Sequence, residues 1–135
     1  MSVKDNDQQA VNITQKKILI IDGHPVYIYK LEGFLKGLSL SNVSLAHSGK
    51  EGLRLAESIR PDLVLLSGML PDIDSRKLCK ELKAALPQTR IIVQVGLFTE
   101  MPVIEQFKEF GASAVLARKE KDLSALQQHI EKLLA

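Results

Sequence analysis

Five short apolar runs, separated by stretches of helical periodicity, constrain this chain more than any other feature. The runs are KKILIID (16–22), VSLAH (43–47), DLVLLS (62–67), RIIVQV (90–95) and AVLA (114–117). They are close to uniformly apolar rather than alternating, as a strand is when both of its faces are covered. Between them, apolar residues return every three or four positions. Val26, Leu31, Phe34, Leu35 and Leu38 make one such stripe, and Leu53, Leu55, Ala56 and Ile59 the next. Leu78, Cys79, Leu82 and Leu86 follow, then Val103, Ile104, Phe107 and Phe110, then Leu123, Leu126 and Ile130 with Leu133 or Leu134. Strand and helix in strict alternation predict a parallel sheet with helices on both faces. Right-handed crossovers leave few ways to order it. The expected architecture is α/β, a doubly wound five-stranded parallel sheet with five helices.

Local signals place the helix ends. Pro25 suits the first turn of a helix, where a missing N–H costs nothing. Ser48 and Glu51 have the spacing of a capping box. A helix is expected over 75–86 and another over 100–110, with Pro102 near its start and Gly111 ending it. Asp122 or a neighbour opens the last one. Gly33 and Gly37 each weaken the first helix by about 1 kcal/mol relative to Ala, which predicts close packing of its backbone as compensation. Residues 1–15 are polar without a sustained period and read as a mobile tail, leaving 16–135 as one domain.

Composition narrows the function classes. With 45% hydrophobic and 25% charged residues the chain can bury a core and stay soluble, and its net charge of +2 gives no electrostatic footprint for nucleic acid or an anionic membrane. Aromatic residues are 4% of the chain and Trp is absent, which argues against a stacking platform for single strands. The single cysteine, Cys79, fits a reducing cytoplasm and reads as a small core residue. No apolar run is long enough to span a bilayer.

In an open doubly wound sheet, ligands sit outside the carboxyl ends of the strands at the switch point. For strand order 2-1-3-4-5 that point lies between strands one and three. It brings Asp22, Gly23 and His24 beside Ser67, Gly68 and Met69. The strand PDLVLLS thus ends on a small neutral residue where α/β proteins usually place their chemistry.

KKILIIDGHPV, PDLVLLSGMLPDID, IIVQVG and GASAVLA, in this order and spacing, resemble the receiver domain of two-component response regulators over roughly residues 16–134. The resemblance implies the flavodoxin-like fold with order 2-1-3-4-5. It also implies a site of five side chains: two acids that hold Mg2+, a phosphoacceptor aspartate, a threonine or serine, and a lysine. The first acid is Asp22. The second falls on Gly23, the phosphoacceptor on Ser67, the hydroxyl on Val95 and the lysine on Arg118. The aromatic that often accompanies the lysine falls on Val115. By this carry-over the chain is a pseudo-receiver with no Mg2+ site and no cofactor. It is expected to be a stand-alone signalling module that acts by constitutive protein–protein contact. Its partner would be a histidine kinase, a response regulator, an output protein or a second copy of itself. Arg118, Lys119 and Lys121 are candidates for the partner surface, and the faces the family suggests are the fourth and fifth helices with the fifth strand, or the first helix.

The residues themselves agree. Mg2+ takes oxygen ligands in a near-octahedral shell, usually with one or two carboxylates, and Asp22 alone is a poor site. A serine hydroxyl needs a base or a metal to become a nucleophile. Two readings stand for Asp22: it accepts hydrogen bonds at a helix start, or it pairs with Arg118 across the vacated pocket. Two other functions are weighed. The emptied pocket, lined by Gly23, Ser67, Gly68 and Val95, can admit a small molecule. Ser67, with His24 as base and Asp22 as orienter, can be read as a hydrolase, although LLSGM lacks the G-x-S-x-G elbow. His24 then reads instead as a cap beside Pro25, and His47 and His129 sit apart from Cys79.

Overall fold

Every residue of β1 (Ile18–Ile21) and β3 (Leu63–Ser67) is buried, as their unbroken apolar runs require. The computed structural model describes residues 13–135. Three more strands complete the sheet: β2 (Val43–Ala46), β4 (Arg90–Val95) and β5 (Ala114–Ala117). All neighbours are parallel, in the order β2-β1-β3-β4-β5. Five helices alternate with them: α1 (Tyr27–Gly37), α2 (Gly49–Ile59), α3 (Ser75–Ala85), α4 (Met101–Glu109) and α5 (Ser124–Leu134). The doubly wound arrangement expected from the sequence is therefore the one observed.

The period of two along each strand divides the core. Leu19, Ile21, Val64, Leu66, Ile91 and Val93 face one layer, with Ala56 of α2, Leu78 and Cys79 of α3 and Phe107 of α4. Ile18, Ile20, Leu63, Leu65 and Ile92 face the other, with Tyr27, Ile28 and Leu31 of α1 and Leu126 and Ile130 of α5. Cys79 is buried among apolar side chains, which pushes its thiol up to about 11 and leaves it inert.

The helix ends follow their signals. Glu51 N–H donates to Ser48 Oγ at 3.2 Å at the start of α2. Asp122 Oδ1 accepts from the backbone N–H of Ser124, ahead of α5. Gly111 adopts a φ of +106°, beyond the end of α4, where a side chain would be strained. One expectation fails. Gly33 and Gly37 have nothing within 4 Å of an added Cβ, so no close approach compensates for them. They sit on the outer side of α1, whose attachment rests on Tyr27, Ile28, Leu31 and Leu35. Of the segment read as a tail, 1–12 lie outside the described residues, while Ile13 packs against the α1 and α5 layer.

Candidate functional site

The backbone ladder runs past the strand ends and fixes the site. Asp22 N–H donates to Ala46 O, Gly68 N–H to Gln94 O and Arg118 N–H to Val95 O, at 3.0, 2.7 and 2.8 Å. In register, Ser67 lies beside Gln94 and Val95 beside Ala117. Asp22, Ser67, Val95 and Arg118 thus come together at the carboxyl end of the sheet, lining one cavity of about 430 Å3. Gly23 lies next to it, pressed by the β3–α3 loop: an added Cβ would meet Pro71 Cδ at 2.9 Å.

Asp22 is 2% exposed and both of its carboxylate oxygens are engaged. Oδ1 accepts from His24 N–H at 2.8 Å. Oδ2 accepts from Arg118 Nη2 at 2.6 Å, a short charge-assisted bond. Both readings open in the sequence hold at once: Asp22 accepts at a helix start and pairs with Arg118. Burial pushes its carboxyl above the ordinary value, while the His24 N–H and the guanidinium pull the other way.

Two residues of the site escaped the sequence reading. The Arg118 guanidinium carbon lies 4.1 Å from the centroid of the Tyr27 ring, a cation–π contact. Tyr27 Oη in turn accepts from Gln94 Nε2 at 2.8 Å within the core. The available signal was Gln94 itself, a polar residue inside the apolar run RIIVQV, which needs a partner if buried. A second tie joins the same elements, since Lys30 Nζ of α1 donates to Glu120 O in the β5–α5 loop. Arg118 is thereby turned inward, with 22% of its side chain exposed, whereas Lys119 and Lys121 are exposed.

The hydrolase arrangement is not assembled. Ser67 Oγ donates to Met69 O at 2.8 Å and accepts from Met69 N–H at 3.2 Å, a closed local turn. His24 Nδ1 accepts from the N–H groups of Val26 and Tyr27, so the imidazole caps α1. Asp22 meets the backbone of His24, not its ring. His47 lies near Tyr29, and His129 Nδ1 bonds Ala125 O. Among the described residues, no group of three or more His, Cys, Asp or Glu is placed to hold a metal, and no helix is long and apolar enough to cross a membrane.

Comparison with known proteins agrees with the fold and its switch point. The transcriptional regulatory protein PhoP of alkaline phosphatase synthesis, from Bacillus subtilis, is 38% identical over 68 residues, 50% of this chain and 28% of that protein. The response regulator protein VraR of Staphylococcus aureus is 26% identical over 88 residues, 64% of this chain and 42% of its own. The chain therefore spans less than half the length of these two curated relatives. A two-component response regulator from Clostridium difficile superposes with a TM-score of 0.81 at 29% identity, covering 89% of this chain and 96% of that one. The family model described as the response regulator receiver domain matches residues 18–131. With that match, the order β2-β1-β3-β4-β5 and a site built at the carboxyl ends of β1, β3, β4 and β5, the chain belongs to the response regulator receiver domain family.

Proposed function

We propose that this receiver domain signals without aspartyl phosphorylation and without Mg2+, as a protein-interaction module held in one state. The observation that carries the reading is the Arg118 guanidinium set 2.6 Å from Asp22 Oδ2. A cation of the chain itself already neutralises the carboxylate on which a divalent ion would depend. The other donors fit Mg2+ no better. Gly23 brings no side-chain oxygen, and Ser67 Oγ is closed on Met69. A hard cation that demands a near-octahedral oxygen shell has too few ligands here. Ser67 has no base beside it, because His24 Nδ1 is engaged with backbone N–H groups.

Intact-mass measurement after incubation with acetyl phosphate and MgCl2 tests the proposal. The mass is expected to stay unchanged. A phosphoryl adduct mapped to Ser67 would overturn it.

Signalling then rests on a surface that does not wait for a phosphate. The partner is another signalling protein (a histidine kinase, a response regulator or an output protein) or a second copy of the chain. Two features favour the side of β4, α4 and the β5–α5 loop. Leu97, Phe98 and Met101 stand out there at 63%, 97% and 61% exposure, high for large apolar side chains. Lys119 and Lys121 are exposed in the β5–α5 loop, and they suit a partner with acidic residues.

A further inference from the structure

Two adjoining cavities open at the carboxyl ends of β3 and β4, and we propose that together they bind a small carboxylic acid with an apolar body. The first is the cavity of about 430 Å3 already described. The second, an open groove of about 490 Å3, follows the β3–α3 loop past Asp72 and Asp74 to Arg76 and shares Gly68, Met69, Val103 and Phe107 with the first. Asp72 accepts from the Gly49 and Lys50 N–H groups, and Asp74 pairs with Arg76. Each has the size of a small-molecule pocket.

The walls and the polar end ask for different chemistry. Val95, Val103 and Phe107 form an apolar wall, and Met69, 85% exposed, stands at the mouth. The polar end presents donors. Arg118 carries five N–H groups, and the bond to Asp22 uses one Nη2 hydrogen. His24 accepts backbone N–H groups at Nδ1, so its neutral ring carries its proton on Nε2. The acidic acceptor of that end and its nearest hydroxyl are already engaged, since both oxygens of Asp22 and the hydroxyl of Ser67 have partners. Free donors beside a hydrocarbon wall match a carboxylate on an apolar chain or ring. Inorganic phosphate would meet the donors and leave the wall uncovered. The inference does not depend on the absence of phosphorylation, because it concerns binding to the chain alone.

An NMR titration of the 15N-labelled chain with butanoate, hexanoate, octanoate, hexan-1-ol and inorganic phosphate tests it. Octanoate is expected to give saturable shifts centred on the amides of Gly68, Val95, Gly96 and Val103. Affinity is expected to rise about fourfold per added methylene, and hexanoate to bind more tightly than hexan-1-ol. Arg118→Gln should erase the preference for the acid over the alcohol while both still bind. Val103→Trp, which fills the shared part of the two cavities, should abolish binding of both, and it decides the matter if Arg118→Gln does not fold. Shifts that do not saturate, that centre elsewhere or that ignore chain length would overturn the proposal. So would phosphate binding at least as tightly as octanoate.

Discussion

At Asp22 two opposed effects act on one carboxyl. Burial raises its pKa, and the His24 N–H and the Arg118 guanidinium lower it, with burial the larger. The folded chain therefore holds this proton more tightly than the unfolded chain does. The stability linked to the group is present at low pH and is lost as pH rises through the folded value. Removing Arg118 takes away a force that opposes burial and strengthens that trend. Arg118→Met is expected to lose about 1–3 kcal/mol near pH 8, the cost of a buried group left without its partner, and less at acid pH, because a protonated Asp22 no longer needs the guanidinium. The residual loss at low pH reflects the cation–π contact with Tyr27, worth about 0.5–1 kcal/mol. Urea unfolding at the two pH values checks this, and an equal loss at both would show that Asp22 does not feel the guanidinium. The pairing of Asp22 with Arg118 was legible in the sequence because both residues end strands at one edge of the sheet. Tyr27 and Gln94 were not, because their meeting depends on which face of β4 turns toward α1. Gln94 marks that face only as a lone polar residue in an otherwise apolar run, and nothing local to it names the partner that α1 supplies.

Among the elements, α1 and α2 carry the two clearest consequences. The α1 helix holds Gly33 in its interior with open space around it. A methyl group there meets no neighbour and reduces the freedom of the unfolded chain. Gly33→Ala is therefore expected to stabilise the domain by about 0.5–1 kcal/mol, read as a shift in the urea midpoint at constant slope. A destabilised variant would mean that α1 packs more tightly than it does here. The α2 helix begins under a clasp from another element. Asp72, in the β3–α3 loop, accepts from Gly49 N–H at 2.8 Å and from Lys50 N–H at 2.9 Å. These bonds hold its carboxyl below the ordinary value of 3.8. The clasp is therefore intact above that value and is lost as pH falls through the folded one. Asp72→Asn is expected to speed hydrogen exchange at Gly49 and Lys50 at neutral pH, since a carboxamide has one acceptor oxygen. Unchanged exchange at those two amides would remove Asp72 from this role. The sequence showed the Ser48 cap, because that spacing is local. It could not show Asp72, which reaches α2 from 23 positions away. Fold order was legible for the converse reason, since each strand and each helical stripe announces itself within its own segment.

For the whole molecule, the matter is how a receiver domain built this way passes on a signal. A switch needs a bistable element that its trigger can bias. The resemblance to the family places a hydroxyl at 95 and an aromatic at 115, and here both positions hold valine. Valine cannot donate a hydrogen bond to a phosphoryl oxygen, and it has no ring to exchange between two positions. The β5–α5 loop, which would have to move, is tied to β1 and α1 by Arg118 on Asp22, by the same guanidinium over Tyr27 and by Lys30 on Glu120 O. These ties oppose displacement of the loop, and on the function proposed above no phosphate-driven step releases them. We therefore expect the face of α4 and the β5–α5 loop to bind its partner constitutively. Charge reversal at Lys119 and Lys121 should weaken that binding by about two- to thirtyfold, as loss of exposed charge pairs worth about 0.2–1 kcal/mol each in a steered interface allows. Ser67→Asp alone should leave it unchanged, because the carboxylate it adds finds no side-chain oxygen at Gly23 and no free Asp22 with which to hold a metal. Partner capture followed by affinity measurement, with and without acetyl phosphate and MgCl2, distinguishes the cases. If Ser67→Asp binds more tightly, and only with both additions, the pocket is still coupled to the partner face and the one-state reading is wrong.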